Sequence, residues 1–391
     1  KVSSIYDLDG QMKQQINPPE PMYAINSRWF LRDSNWFANF PDSARKISSF
    51  YEREGGETPD FIIALTPELV VRLLAITGPV NLPAYGTTLK ADNFVETTQF
   101  LTSVAYDKQI NTPKAMIADF LPLFLQRLFS LQGQERVRML SVVSDVLAEK
   151  HILLYSRTKD EQAIFSRYNW AGELQKTDSD FLAVNIANLG GTKVDTDISQ
   201  NVIVKSKLGS DGSIVNTLSI TRINPLPKDK QYQSLAYVRV YVPQGSVLLS
   251  ARGFSTTPYD LGGLVKTGLV DPDVSAIEQK SSIDFSSKTN VGVESGKTFF
   301  GNWMIVPGGG SQEVELVYRL PFVYSSLTSH SLLAQIQSGL KPQSFSYNFN
   351  TSGPWSILKS SEQASLTSPQ NMTFSTNALS RDTWVGMVIS K

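Results

Sequence analysis

The spacing of apolar residues in the first 180 positions predicts helices that alternate with short strands. Apolar residues recur at helical spacing over 44–54 and 67–77, and a Gly-Gly or Gly-Pro pair follows each segment. Phe61–Leu65 is a continuous apolar run, which is typical of a strand buried on both faces. Val2–Leu8 alternates apolar and polar residues and predicts another strand, whereas 113–150 predicts two long helices. This order implies a βαβ layout with some parallel pairing.

After Asp180 the period of the pattern changes to two. Residues 198–207 and 213–223 both alternate, and the glycine-rich turn between them predicts a hairpin. Val238–Val242 alternates strictly and ends at a proline. The second half is therefore predicted to be all-β, and a sandwich is the simplest arrangement for so many short strands.

The change of pattern divides the chain into two predicted domains. The first is an α/β domain over 1–178, with helices around a mixed sheet, and the second is an all-β sandwich region over 179–391. A smaller sheet near the C-terminus suggests that the second region has two sub-domains, over about 179–325 and 326–391.

The composition excludes several kinds of catalytic and metal site. The 391 residues include no Cys and only two His, at positions 151 and 330. Thiol catalysis, disulfides, thiolate zinc sites and multi-histidine metal sites are therefore excluded. The 36 basic residues balance the 36 acidic ones, and neither half has the basic excess that attracts a phosphate backbone. Nucleic acid is therefore not an expected partner.

Polarity and hydropathy indicate where the protein works. No apolar run approaches the roughly 18 residues that span a bilayer, so no membrane span is expected in this chain. Charged residues make up only 18% of the sequence, whereas Ser, Thr, Asn and Gln are abundant. That composition is typical of an extracellular β-rich protein.

The segment richest in candidate chemistry lies just before the first long helix. Arg28 and Arg32 suit bidentate recognition of phosphate or carboxylate, and Asn35 and Trp36 add a polar group and a stacking surface. They are the candidate ligand-binding residues. The alternative is structural, with Arg32 and Asp33 paired to support a loop and the tryptophans packed in a core. Spacing alone favours the structural alternative, because tryptophan is usually buried.

Several segments resemble a bacterial family called domain of unknown function 4012. The resemblance rests on Arg32–Trp36, Phe40–Ala44, Pro59–Leu65, Leu73–Val80 and Tyr237–Val242. Its members are membrane-anchored surface proteins, which implies a missing N-terminal transmembrane helix and a preceding segment that ends in a strand. The α/β domain is accordingly expected to lack its first strands. A fragment of the same precursor is an expected partner.

The first half also resembles, more distantly, the LytR-CpsA-Psr family, which transfers glycopolymers from a polyprenyl pyrophosphate carrier. Leu31–Asp33 parallels an Arg-Asp motif of that family. The resemblance implies that Arg32 faces pyrophosphate and that Asp33 holds a metal ion or a neighbouring arginine. They are the candidate catalytic residues, and Asp33 is the candidate metal ligand. The later arginine-rich signature is absent, since Thr102–Lys114 has only Lys108 and Lys114 as cations. Too little positive charge then remains for a phosphotransferase.

These observations predict a non-catalytic surface protein of the bacterial envelope. It is expected to bind envelope glycopolymer or to assemble with other surface proteins, without a cofactor. One alternative is a phosphotransferase-like enzyme that handles polyprenyl-pyrophosphate-linked glycan, and only this alternative needs Mg²⁺. Another alternative is a self-assembling subunit of a surface layer or filament. The expected location is extracellular, at the cell surface.

Overall fold

The computed structural model describes residues 6–9, 11–23, 25–103, 115–256 and 267–391. The chain forms two compact units. One unit comprises the chain up to Lys13 together with Phe40–Glu173, and the other comprises Gln14–Asn39 together with Leu174–Lys391. The division at Glu173 lies close to the predicted one at 178. Gln14–Asn39 differs from the prediction, because it belongs with the β-rich unit rather than with the helical one.

The described chain is a mixed α/β protein with large sheets. The helices are α1 (Tyr6–Asp9), α2 (Glu20–Tyr23), α3 (Phe40–Arg53), α4 (Pro67–Thr77), α5 (Phe94–Ser103), α6 (Ala115–Ser130), α7 (Gly133–Ala148), α8 (Lys159–Arg167) and α9 (Pro272–Glu278). Short 3₁₀ turns lie at Leu31–Asp33, Pro83–Tyr85 and Lys230–Tyr232.

The strands are numbered in chain order in the same way. They are β1 (Phe61–Leu65), β2 (Val80–Leu82), β3 (Thr87–Leu89), β4 (Ile152–Ser156), β5 (Asp180–Asn188), β6 (Ser199–Leu208), β7 (Ser213–Asn224), β8 (Ser234–Pro243), β9 (Val247–Arg252), β10 (Ser282–Ile283), β11 (Asn290–Glu294), β12 (Lys297–Val306), β13 (Gly310–Val323), β14 (Thr328–Gln335), β15 (Gln343–Thr351), β16 (Ser356–Ser360), β17 (Ser365–Ser368), β18 (Asn371–Leu379) and β19 (Thr383–Ser390).

The helices of the first unit lie close to their predicted positions. Helix α3 starts at Phe40, four residues earlier than predicted, so Pro41 lies in the first turn, where its missing N–H removes no hydrogen bond. Helix α4 ends at Gly78, whose φ of +79° suits a residue without a Cβ and whose N–H donates to Leu74. Helices α6 and α7 confirm the two long helices predicted over 113–150.

The strands of the first unit correct two predictions. Strands β1 and β4 pair antiparallel, with Phe61 opposite Ser156, and β2 pairs antiparallel with β3, so the predicted parallel βαβ pairing is wrong. Strand β1 is also not buried on both faces, because Phe61 and Ile63 are 48% and 59% exposed. An apolar run shows β propensity but does not show what covers it.

The predicted strand over Val2–Leu8 is also wrong where it can be checked. Tyr6–Leu8 lies in helix α1, and residues 2–5 lie outside the described residues. The amide of Gln11 donates to the carbonyl of Leu8 and closes a turn directly after the helix. A brief alternation of apolar and polar residues is compatible with such a turn, because period two needs several residues to become distinctive.

The second unit contains a sandwich of two sheets. The first sheet has the order β10-β11-β12-β8-β5-β14-β19-β16, and the second has the order β17-β18-β15-β6-β7-β13-β9. Their inner faces share one apolar core, to which Val240 and Leu332 contribute from the first sheet and Leu218 and Phe349 from the second. The alternation along these strands puts every second side chain into this core, as the sequence predicts for β6 and β7.

The chain after position 326 does not form the suggested separate sub-domain. Strand β14 pairs parallel with β5 in the first sheet, and β15 pairs parallel with β6 in the second. Both late strands are therefore interior members of sheets that began much earlier in the chain. The sandwich has one core rather than two, since side chains from β14, β15, β16, β18 and β19 join the same apolar cluster.

Gln14–Asn39, called the covering loop from here on, belongs to the outer face of the first sheet. Ile16 and Leu269 form a parallel bridge, and the Asn17 side chain donates to the carbonyl of Gly268 at 2.8 Å. Ala38 and Ile277 pack against apolar side chains of the sheet's outer face. Strand β8 is therefore buried on both faces, which explains how a charged residue in it becomes enclosed.

Among the described residues, no helix is both long and apolar enough to cross a membrane.

Candidate functional site

The covering loop holds all the site residues singled out in the sequence. Arg28 and Asn35 are exposed. Arg32 and Asp33 contact each other at 3.5 Å, and each side chain is about one-third exposed. The Arg32 guanidinium also lies 4.4 Å from the centre of the Phe30 ring. Neither Arg32 nor Asp33 lines the groove described below, so the geometry favours the structural alternative for this pair.

The first tryptophan of the segment is structural as well. Trp29 is completely buried, and its Nε1 donates to the carbonyl oxygen of Asp33 at 2.9 Å. The Ser34 hydroxyl, also fully buried, donates to the carbonyl of Leu31 at 2.7 Å. These bonds close the 3₁₀ turn on itself and fix the direction in which the loop continues towards Trp36.

We expect Arg32→Ala to change the free energy of unfolding by less than about 1 kcal/mol, because partly exposed ion pairs contribute little. Trp29→Ala, three residues away, should cost about 3–5 kcal/mol, because it leaves a cavity in a closed core. Urea titrations of the two variants measure this difference. A loss of more than about 2 kcal/mol for Arg32→Ala would show that the exposed pair has a structural role beyond its own contact.

Trp36, another of the predicted ligand-binding residues, contacts a buried arginine of the first sheet. Its ring lies 4.2 Å below the guanidinium of Arg239, and its carbonyl accepts a hydrogen bond of 2.5 Å from Arg239 Nη2. The ring also stacks on Tyr237 at a centroid distance of 6.3 Å. The covering loop is therefore attached to strand β8 through both the backbone and the side chain of one tryptophan.

Arg239 is the centre of a buried polar cluster on the outer face of the first sheet. Only 3% of it is exposed, and its Nη1 donates to Glu294 Oε2 at 3.1 Å. Asn185 Oδ1 accepts from Nη2 at 3.2 Å. Burial opposes the charge of Arg239, but the neighbouring Tyr241 and Glu294 raise its pKa, so the guanidinium stays protonated.

Glu294 connects this cluster to the covering loop. Its Oε2 also accepts the hydroxyl proton of Tyr241 at 2.6 Å, and its Oε1 accepts from the backbone N–H of Ala38 at 3.0 Å. Burial raises the pKa of Tyr241 well above its usual value, so the phenol remains a donor. One carboxylate thus holds an arginine, a tyrosine and the loop backbone together.

A groove opens beside this cluster, and it has two parts. The inner pocket is a cavity of about 40 Å³ beneath the covering loop and α9. Its lining is Pro19, Glu20, Pro21, Trp36, Tyr237, Arg239, Val274, Ile277, Glu278, Ser281, Asn290, Glu294 and Phe299. Asp271 caps the N-terminus of helix α9, because its carboxylate accepts from the N–H groups of Asp273 and Val274 at 3.1 Å.

The outer groove is wider and continues from the inner pocket. Its volume is about 490 Å³, and the two share Glu20, Pro21, Tyr237 and Asn290. The remaining lining is Phe254, Ser255, Thr256, Ile283, Ser286, Ser287, Lys288, Gly301, Asn302 and Trp303. The lining therefore combines aromatic rings, hydroxyl groups and amide groups.

Two residues that line the inner pocket each carry one side-chain atom that is buried from solvent and has no hydrogen-bond partner within the described part of the chain. The two atoms are Arg239 Nε, a donor, and Asn290 Oδ1, an acceptor. Buried polar atoms of this kind are costly unless something satisfies them. The charged residues around both parts of the groove are Glu20, Glu278 and Glu294 against Arg239 and Lys288, so the lining carries no excess of positive charge.

The covering loop lies within the part of the chain that matches a known protein family. Residues 4–106 match the family DUF4012, a protein of unknown function. This match supports the resemblance to DUF4012 that the sequence motifs indicate. The DUF4012 stretch supplies Glu20 and Trp36 to the groove, whereas Arg239, Asn290 and Glu294 come from chain beyond the match.

The solved structures that match this chain are distant from it. One, described as a nutrient binding protein of Legionella pneumophila, is 8% identical, covers 55% of this chain and 71% of its own, and has a TM-score of 0.29. Another, an M1 zinc metallopeptidase of Deinococcus radiodurans, is 9% identical with a TM-score of 0.24, covering 50% of this chain and 42% of its own. The chain thus spans less than half of that peptidase. No curated protein matches.

The sequence offered one signal for the cluster that reasoning from motifs missed. Arg239 sits in the middle of the strictly alternating strand Val238–Val242. A charged residue inside a strand of this kind either faces solvent or needs a buried partner. Its partner Glu294 is 55 residues away, and no local pattern connects the two.

Proposed function

We propose that this protein is a non-catalytic surface protein of the bacterial envelope that binds envelope glycan in the outer groove. One observation carries the proposal: Tyr237 and Trp303 line the outer groove together with amide, hydroxyl and carboxylate side chains, and Trp36 lines the inner pocket from which that groove continues. Sugars present apolar C–H faces to aromatic rings and hydroxyl groups to polar side chains, so this mixture suits a glycan.

The dimensions and charge of the groove support the same proposal. A volume of about 490 Å³ lies within the range of ordinary ligand sites and accommodates a short oligosaccharide segment. The charged residues of the outer groove are Glu20 and Lys288, and the inner pocket adds Glu278, Glu294 and Arg239. The lining therefore has no excess of positive charge that would attract a strongly anionic polymer. An uncharged or weakly charged glycan is therefore the preferred ligand.

The proposed location is the cell surface, where an envelope glycan is accessible. The resemblance to anchored surface proteins and the composition of few charged and many hydroxyl and amide residues support it. The likeness of the first half to the LytR-CpsA-Psr family remains a prediction. Its candidate residues Arg32 and Asp33 contact each other and lie outside the groove lining, so they offer the glycan-binding proposal no competing site.

The proposal is tested by filling the outer groove with a bulky side chain. Ser286 is exposed and lines the groove, so Ser286→Trp should reduce binding to purified wall polysaccharide by about tenfold or more. Ser365, an exposed residue of β17 outside the groove lining, provides the matched control Ser365→Trp, which should bind as the wild type does. Co-sedimentation with insoluble polysaccharide and calorimetry with soluble fragments give the affinities.

Two results would contradict glycan binding in the groove. One is wild-type protein that binds no wall polysaccharide. The other is equal binding by Ser286→Trp and Ser365→Trp, which would place the ligand elsewhere. Particle size in the same solutions separates simple binding from the self-assembly alternative, because a surface-layer or filament subunit would grow into large particles.

A further inference from the structure

The junction of helices α6 and α7 projects from the helical core of the first unit. Only Leu131 and Gln132 separate the two helices. Every residue from Gln132 to Arg138 is exposed, and these residues cover more than one full turn of α7, so no face of this helix end is packed. The next residue, Met139, packs against the helical core. The segment 126–140 is called the helix corner from here on.

The helix corner exposes large apolar side chains to solvent. Phe129, in the last turn of α6, is 77% exposed, and Val137 and Leu140 of α7 are exposed as well. Val137 and Leu140 are three residues apart, so they lie on one side of their helix. Single exposed apolar residues are common on proteins, but three of them at one projecting helix end indicate a surface that contacts an apolar partner.

The charge of the helix corner is positive. Its basic residues are Arg127, Arg136 and Arg138, and its one acidic residue is Glu135. Its net charge is therefore +2, although the whole chain is neutral. Arg127 and Arg136 donate hydrogen bonds to backbone carbonyls, which do not neutralise their charge. Arg138 is exposed and forms no hydrogen bond or ion pair with any residue that the structure describes, so its guanidinium is available to a partner.

We propose that the helix corner binds the surface of an anionic lipid bilayer. Phe129 and Val137 enter the boundary between the headgroups and the acyl chains, while the three arginines stay at the level of the lipid phosphates. Arginine suits this position, because its apolar stem can lie along the acyl chains while its guanidinium remains at the interface. This binding is separate from glycan binding in the outer groove and does not depend on it.

An anionic bilayer matches both properties of the helix corner. Two copies of the chain that met through this corner would bring the same arginines together, and like charges in contact oppose association. A neutral bilayer would cover the apolar side chains but leave the arginines without counter-charges. An anionic bilayer covers the apolar side chains and supplies phosphates to the arginines at the same time. Its deformable surface also receives a projecting helix end without a preformed groove.

The test measures co-sedimentation of the protein with sucrose-loaded lipid vesicles. Wild-type protein should bind vesicles of mixed phosphatidylglycerol and phosphatidylcholine about tenfold or more tightly than vesicles of pure phosphatidylcholine. Phe129→Ser should weaken binding to the anionic vesicles by about tenfold, because it removes the largest apolar contact. Arg138→Gln should weaken this binding by about fivefold and make it less sensitive to salt, because one charge that contacts the lipid phosphates is lost.

Phe285→Ser is the matched control for the helix corner. Phe285 belongs to the other unit and is even more exposed than Phe129, and its ring also lies beside a cation, Lys288, at 4.4 Å. The control variant should bind anionic vesicles as the wild type does, and circular dichroism confirms that each variant is folded. Wild-type protein that does not sediment with anionic vesicles would overturn the proposal, and so would equal weakening by Phe129→Ser and Phe285→Ser. Neither result bears on glycan binding, which Ser286→Trp tests separately.

Discussion

Glu294→Ala should lower the free energy of unfolding of the sandwich unit by about 3–5 kcal/mol. The carboxylate accepts from Arg239, from the Tyr241 hydroxyl and from the N–H of Ala38. Its removal leaves a buried guanidinium, only 3% exposed, without its counter-charge. Leaving a buried charge without its partner destabilises a protein by more than the intact ion pair stabilises it. We therefore expect this loss of unfolding free energy to be among the largest for any single substitution in the protein.

Two further variants distinguish charge loss from cavity formation. Glu294→Gln keeps the shape and one acceptor oxygen, so it should lose less than Glu294→Ala but still leave the arginine without a compensating charge. The double variant Arg239→Met with Glu294→Leu removes both charges and should recover a large part of the loss. Urea titrations followed by tryptophan fluorescence report these differences, because Trp36 contacts Arg239 directly. If the double variant were no more stable than Glu294→Ala, packing rather than charge would explain the effect.

The second large effect concerns pH, and it involves two buried groups in the sandwich core. Asp180 is fully buried, and burial raises the pKa of its carboxyl group to about 7, although Asn216 Nδ2 and the N–H of Phe181 both donate to it. His330 lies between the hydroxyls of Tyr324 and Tyr347, at 3.0 and 3.1 Å. Burial lowers its pKa to about 3.

The two groups act on stability with opposite signs between pH 4 and 6.5. The folded state keeps a proton on Asp180 that the unfolded state releases, so this stabilisation is complete below the unfolded pKa of 3.8 and is lost as pH rises towards 7. The folded state keeps His330 neutral where the unfolded state, with a pKa of 6.5, is protonated. That stabilisation is present above pH 6.5 and is lost as pH falls towards 3. Each slope is about 1.4 kcal/mol per pH unit, so in the wild type they largely cancel.

Asp180→Asn should expose the contribution of His330. Relative to wild type, the variant should gain about 3 kcal/mol in unfolding free energy between pH 4.5 and pH 6.5. His330→Gln should change by a similar amount in the opposite direction, and the double variant should track the wild type. Urea titrations at the two pH values measure these differences. A constant difference between Asp180→Asn and wild type across this range would show that Asp180 titrates alike in both states.

The sandwich could be predicted from sequence because its signal is local. Alternation along β6 and β7 directly reports which side chains face the core, and the turn between them fixes their pairing. The first unit was harder to predict. The apolar run of β1 has the composition of a buried parallel strand, yet it pairs antiparallel and leaves Ile63 59% exposed. A sequence of five residues specifies neither the strand with which they pair nor the element that covers their faces.

The candidate site shows the same limit more sharply. Sequence reasoning found Trp36, which lines the inner pocket, but grouped it with Arg28, Arg32 and Asn35 as ligand-binding residues. The structure attaches it instead to Arg239, 203 residues further along the chain. Such a pairing depends on how the covering loop lies on the sheet, and no periodicity or motif encodes that placement. The position of Arg239 within an alternating strand indicates only that it needs either solvent or a buried partner, and not which residue that partner is.

Strands β14 and β15, which lie near the end of the chain, each occupy an interior position in a sheet, and this has a consequence for how the sandwich folds. In the first sheet, the Gln337 side chain bonds the backbone of Ile186, 151 residues earlier. Strand β5 borders β14, and strand β6 borders β15, so both sheets stay incomplete until the chain from Thr328 onward is available. During synthesis, one edge of β5 and one edge of β6 stay unpaired until β14 and β15 have emerged, so we expect this sandwich to fold slowly. A nascent chain arrested before position 328 would carry both open edges at once.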